Sequence, residues 1–183
     1  YLSAYLKRAG RKVSVFDSTF SNPERLIETL RESRPRFLGL YANLMTRSRI
    51  VGLMAQAREL SIPVIAGGPD ASGNAESYLT HGASVVVRGE GEVTLNELLE
   101  RWTGDAPPTD VAGTSVRIGD SITHAPDRAL IPSLDGHPWP DREAIALEPY
   151  LAAWRQHHGY GSVSLITARG CPYTCRWCSR AVY

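Results

Sequence analysis

Short apolar runs alternate with amphipathic stretches over the first hundred residues, and this rhythm limits the chain to very few folds. Lys12 to Asp17, built on Val13, Val15 and Phe16, reads as one strand, Phe37 to Leu40 as a second, Pro63 to Ala66 as a third and Ala83 to Val87 as a fourth. Their starts lie about 20 to 27 residues apart, which leaves room for one helix in each interval. The intervals do carry helical spacing. Leu2, Tyr5, Leu6 and Ala9 precede the first strand. Leu26, Ile27 and Leu30 follow Asn22 as N-cap and Pro23 at the first helical position, and Ile50, Val51, Leu53, Met54, Ala57 and Leu60 form the next stripe. Ala75 to Leu79 is a weaker helix. A last helix is expected to open at Thr94, with Glu97 completing a capping box and Val93 against Leu98 as a staple. Alternation of this kind makes a parallel sheet with right-handed crossovers, covered on both faces, which is why Pro63-Val64-Ile65-Ala66 is apolar throughout.

The expected class is therefore α/β with a flavodoxin-like parallel sheet over residues 1–104. A helix at the very start implies that the first strand of that sheet belongs before Tyr1. Beyond Gly104 the pattern breaks. Asp105 to Asp110 is a linker by composition, Ser115 to Thr123 reads as a hairpin turning at Gly119-Asp120, and prolines from Pro126 to Pro149 interrupt any long element, so residues 105–160 are assigned to a strap that ends in a helix near Tyr150 to Gln156. The run Ser162 to Ala168 alternates like a strand and leads into a cysteine loop. Residues 161–183 are therefore expected to begin a second, partial TIM-type barrel domain, with its chemistry at the strand's carboxyl end.

All three cysteines of the chain, Cys171, Cys175 and Cys178, fall within eight residues. A C-x-x-x-C-x-x-C loop can wrap three thiolates round three corners of a cuboidal iron-sulfur cluster and leave the fourth iron without a protein ligand, open to chemistry. A zinc site recruiting His157 or His158, or a disulfide with a spare thiol, are the competing uses of these residues. Zinc modules usually show two paired ligand sets, and this chain shows one triplet.

Open parallel sheets bind ligands beyond the carboxyl ends of their strands, which singles out the loops Tyr41 to Thr46, Gly67 to Ser72 and Arg88 to Glu92. Glycines there let backbone approach a bulky ligand, although the same glycines serve a plain strand-to-helix turn. The net charge of +1 does not advertise nucleic acid as a partner, no apolar run approaches the ~20 residues of a membrane span, and a cytoplasmic setting is the expectation. Because the chain opens on Tyr1 inside a helix and stops five residues after Cys178, it is expected to be a piece of a longer enzyme.

A sheet domain whose strands end in Gly67-Gly68-Pro69 and Arg88-Gly89-Glu90-Gly91-Glu92, then a strap, then Ala168-Arg169-Gly170-Cys171-Pro172-Tyr173 and the remaining cysteines with Trp177 between them, resembles the cobalamin-binding radical S-adenosylmethionine enzymes along nearly its whole length. The resemblance implies a 4Fe-4S cluster on Cys171, Cys175 and Cys178, with S-adenosylmethionine chelating the free iron and Trp177 packing near its adenine. It implies cobalamin with its nucleotide tail along the sheet edge, at Leu44 and Thr46, at Gly67 and Gly68, and at Gly89, Glu90 and Gly91. Where relatives often carry histidine after Gly-Gly-Pro this chain has Asp70, which puts a polar contact to the ligand from that position in doubt.

The chemistry so implied is methylation of an unactivated carbon through a 5′-deoxyadenosyl radical and methylcobalamin. A small-molecule or natural-product substrate and a flavodoxin- or ferredoxin-type electron donor are the implied partners. Radical cyclisation or oxidation, as in tetrapyrrole ring closure, is the other activity within the resemblance, and a non-catalytic cobalamin- or zinc-binding module is the alternative outside it.

Overall fold

The computed structural model describes residues 1–171, 173, 175 and 176, so Trp177 and Cys178 lie outside the described residues. These divide into two compact units, one of residues 27–132 with 173, 175 and 176 and one of residues 1–26 with 133–171.

The larger unit is α/β. Its sheet runs β1 (Leu38–Tyr41), β2 (Val64–Gly67), β3 (Val85–Val87), β4 (Thr114–Ile118) and β5 (Ser121–His124), in that order across the sheet. β1, β2 and β3 are parallel neighbours, with Leu38 opposite Val64 and Ile65 opposite Val85. Between them lie α3 (Arg47–Glu59), the short α4 (Pro69–Gly73) and α5 (Ala75–Thr80), and α6 (Gly91–Arg101) follows β3. The core forms where the stripe Ile50, Met54 and Ala57 of α3 and the Tyr78–Leu79 step of α5 close over Leu40, Val64, Ala66 and Val86. β1, β2 and β3 are each three or four residues long and nearly all apolar, the expected character of strands covered by helices.

Two features of this unit depart from the sequence expectation. The hairpin assigned to the strap is part of the sheet: β4 pairs antiparallel with β3, Val87 opposite Thr114, and β5 pairs with β4. Thr114, Ser115 and Val116 are buried by that pairing. The second departure is the start of α6. It opens at Gly91, three residues before Thr94, and Glu90 at its N-cap makes no side-chain capping bond. The capping-box residues are engaged elsewhere. Thr94 Oγ1 accepts a hydrogen bond from Arg128 Nε at 2.8 Å, and the Glu97 carboxylate pairs with the Arg128 guanidinium. A partner 31 residues away thus outbids the local motif. Arg128→Ala is expected to lower the stability of this unit by about 2 kcal/mol, the scale of a charge-assisted hydrogen bond, read as a shift of the urea midpoint at unchanged slope. A midpoint equal to wild type would show that the Arg128 contacts add nothing to the stability of this unit.

The smaller unit contains α1 (Leu2–Arg8), the first residues of α2 (Pro23–Ser33), a single 3-10 turn at Arg142–Ala144, and α7 (Glu148–His158). Its contacts are specific: Lys7 pairs with Asp141 at 2.7 Å, Tyr5 stacks on His137 with ring centroids 5.3 Å apart, and the Tyr150 hydroxyl donates to the Asp17 carboxylate. Neither strand expected here forms. Lys12 to Asp17 and Ser162 to Ala168 have no ladder partner among the described residues. A strand exists through its neighbours, and a barrel or doubly wound strand needs them on both sides. At Ser162 to Ala168 side chains supply some of what a neighbour would: the Tyr1 hydroxyl donates to Ile166 O at 2.8 Å and accepts from its N–H at 3.1 Å, and Arg142 donates to the Ser164 carbonyl.

Candidate functional site

The carboxyl ends of β1 and β2 are joined before any side chain is considered, because Ala42 N–H donates to Gly67 O at 2.7 Å and Asp70 N–H donates back to Ala42 O at 3.3 Å. Beyond β1 the chain makes a closed turn. Asn43 and Thr46 bond each other through both side chains, Asn43 N–H to Thr46 Oγ1 at 3.1 Å and Thr46 N–H to Asn43 Oδ1 at 3.0 Å. Leu44 and Met45 stand at the tip, 73% and 90% exposed, where polar turn residues are the rule. Tyr41 beside them is 66% exposed. Three large apolar side chains gathered at one end of a sheet make the kind of exposed apolar surface that marks a binding site.

Gly68 explains how closely that edge can be approached. Its φ is +101°, and a Cβ there would lie 2.6 Å from Ala42 O and 3.0 Å from two ring carbons of Tyr41. Gly67 differs: a Cβ would make ordinary contact with Val87, 3.7 Å from its O and 3.9 Å from its Cβ. At the third loop Gly89 is exposed with φ +71° and its N–H donates to Ser72 Oγ at 3.3 Å, while Gly91 opens α6. Glu90 turns its carboxylate to its own chain, accepting the Ile131 N–H at 2.6 Å. The six residues Leu44, Thr46, Gly67, Gly68, Gly89 and Gly91 therefore sit at the carboxyl ends of three adjacent parallel strands. Within the loop Tyr41 to Thr46 the sequence reading names Leu44 and Thr46 as contacts and not Tyr41, Met45 or the turn-closing Asn43; the N-x-x-T spacing is the available signal for the last. A separate cleft of about 410 Å³ opens beside α4 and α5, lined by Ser72 to Ser77, Arg88 and His124, and none of the expected contact residues lines it.

Asp70 faces inward. It is 6% exposed, takes a two-pronged ion pair from Arg47 at 2.7 and 2.5 Å, and accepts the Tyr78 hydroxyl at 2.5 Å and the Asn74 amide at 3.2 Å. The Arg47 guanidinium holds this carboxyl below its ordinary value of 3.8 against the opposing effect of burial. Burial, then the bond to Asp70, pushes Tyr78 up from 10.0 to about 12. A depressed carboxyl contributes stability that is complete above 3.8 and is lost as pH falls through the lowered value. A raised tyrosine contributes stability that is complete below 10.0 and is lost as pH rises through about 12. As far as these two groups go, the urea midpoint is expected to stay level from about pH 5 to about pH 9. Asp70→Asn should flatten its acid limb; an acid limb as steep as in wild type would show that Asp70 is not the group titrating there.

Of the thiols, Cys171 and Cys175 are exposed, and Cys178 lies outside the described residues. Among the described residues no three metal-ligating side chains come together, and no helix is long and apolar enough to cross a membrane.

Residues 1–99 match the family model described as the B12 binding domain. The cobalamin-dependent radical SAM methyltransferase TokK of Streptomyces tokunonensis is 30% identical over 188 residues, covering 97% of this chain and 27% of TokK. An uncharacterized methyltransferase of Pyrococcus horikoshii is 27% identical over 170 residues, 91% of this chain and 35% of that protein. The chain thus spans about a third or less of these relatives' length. Among solved structures, the radical S-adenosylmethionine methyltransferase TsrM of Kitasatospora setae, with cobalamin and a 4Fe-4S cluster bound, matches with a TM-score of 0.61 and 20% identity over 68% of this chain and 26% of that one, a likeness of fold.

Proposed function

Because the chain belongs to the B12 binding domain family and has cobalamin-dependent radical S-adenosylmethionine methyltransferases among its relatives, we propose that it is the corrinoid-binding and cluster-binding portion of an enzyme that methylates an unactivated carbon. The observation that carries the reading is the edge at Gly68, where backbone without a side chain adjoins the exposed Tyr41, Leu44 and Met45. That edge fits a large, flat, partly apolar cofactor. The donor set fits the other group, since cysteine thiolates at C-x-x-x-C-x-x-C spacing suit iron-sulfur ligation and leave one iron unclaimed.

When bound, the cluster with S-adenosylmethionine and the corrinoid supply radical generation and methyl transfer. The part of this chain is to hold them. Cys171, Cys175 and Cys178 would hold iron as deprotonated thiols, and Trp177 would serve the adenine side of S-adenosylmethionine. Gly67 and Gly68 keep the sheet edge clear, the Asn43–Thr46 turn presents Leu44 and Met45, and Gly89 and Gly91 admit the ligand at the third strand. Glu90 acts through its backbone, its carboxylate being engaged by Ile131. A one-electron donor protein and a small-molecule substrate complete the proposal.

Anaerobic reconstitution with iron, sulfide and hydroxocobalamin tests it. The chain is expected to retain corrinoid through gel filtration and to show a broad charge-transfer band at about 400 nm that corrinoid alone does not account for. A preparation that retains neither iron nor corrinoid would sink the reading.

A further inference from the structure

One buried charge has no part in the roles above. Asp70 lies in the first turn of α4, two residues past Gly68, and all its side-chain partners belong to its own fold: Arg47, Tyr78 and Asn74. The Asp70 carboxylate is buried while the Arg47 side chain is 40% exposed, and half-buried pairs are poor sources of stability, since desolvation and screening offset most of the attraction, so a pair kept here calls for a different use.

Arg47 sharpens the point. It is the first residue of α3, the positive end of the helix, where a cation is disfavoured, and no acidic residue occupies that first turn. A side chain that breaks its local rule while meeting a specific buried partner 23 residues away signals a tertiary job. What the pair connects is clear from its neighbours. Arg47 directly follows Thr46, which closes the turn presenting Leu44 and Met45, and Asp70 follows the Gly67-Gly68 edge. Besides the pair, the two loops are joined by the backbone bonds at Ala42 and by the Tyr41–Gly67 step of the β1–β2 ladder, none of which reaches Thr46.

We propose that Asp70 and Arg47 are positioning residues: their ion pair, braced by Tyr78, holds the Asn43–Thr46 turn against the Gly67–Gly68 edge, so that the corrinoid seat is already formed before the ligand arrives. This rests on the corrinoid-binding reading above. A preformed seat avoids the cost of ordering a loop on binding, and loss of the latch lowers the fraction of chains competent to bind.

The test is hydroxocobalamin binding to the full chain, followed by stopped-flow absorbance, for wild type, Asp70→Asn, Arg47→Met and the double variant. If the competent fraction drops to about a tenth, each single variant binds about tenfold more weakly, with the loss chiefly in the association rate. The double variant then binds no more weakly than either single one, because both remove the same link. Amide hydrogen exchange at residues 43–46 in the corrinoid-free chain is expected to accelerate in the same variants, a loosening that a pair stabilising only the fold as a whole would not confine to this turn. Arg47→Lys, which keeps the charge and loses the second prong, should fall between wild type and Arg47→Met, and it serves if Asp70→Asn fails to fold. Unchanged association rates in folded variants, or losses that add in the double variant, overturn the latch and leave the corrinoid reading standing. A wild-type chain that binds no corrinoid overturns both.

Discussion

Cys175→Ala is expected to reduce iron from about four atoms per chain to nearly none after anaerobic reconstitution, and to remove the band at about 400 nm. The reasoning is a count of ligands: three thiolates hold three corners of the cluster, and with one gone the remaining pair cannot enclose it. Cys175 is exposed, so replacing its thiol leaves no cavity, and surface changes of this kind stay within about 0.5 kcal/mol. Far-ultraviolet circular dichroism and the urea midpoint should therefore match wild type. Equal iron in the two proteins would assign the metal to other ligands, and the radical chemistry proposed above would lose its basis.

Gly68→Leu should act at the other site. Its Cβ cannot be accommodated with Ala42 O at 2.6 Å and the Tyr41 ring at 3.0 Å, and the backbone at φ +101° strains any residue with a side chain, at roughly 1–3 kcal/mol. Something must shift, and the near atoms belong to the backbone joint between β1 and β2 and to the apolar seat itself. Corrinoid affinity is expected to fall about a hundredfold, equivalent to roughly 3 kcal/mol, while iron content stays at the wild-type level. Gly67→Ala is the companion experiment for the fold: with 3.7 Å to Val87 O its methyl makes ordinary contact, and the unit should unfold at the wild-type midpoint. Undiminished corrinoid retention by Gly68→Leu would show that the ligand does not use this edge.

The two glycines look alike in the sequence, and their difference shows where sequence reasoning stops. The β-α rhythm placed β1, β2 and β3 within a residue or two of their observed bounds, because apolar runs and helical stripes are properties of neighbouring residues. Lys12 to Asp17 carries the same kind of pattern and forms no ladder, since a pattern says what a segment could pair with and not whether the partner is there. Thr94 and Glu97 had a good local motif and lost it to Arg128, a residue in a stretch that composition marked as strap. The hairpin was legible from its turn at Gly119-Asp120, but its place beside β3 was not, because edge pairing depends on which strand end remains open.

What the sequence determined by itself is short-ranged: an α/β chain, parallel strands of which β2 and β3 have glycines at their carboxyl ends, and three thiols within eight residues. Tertiary structure alone decided that Asp70 is spent on Arg47 and Tyr78, that Gly68 and not Gly67 lacks room for a side chain, and that Tyr41 and Met45 stand exposed beside it. Periodicity and spacing are written in adjacent residues. Tyr78 and Arg47, partners of the buried Asp70, lie 8 and 23 residues off and are chosen, like the atom facing a missing Cβ, by packing and desolvation when the elements close.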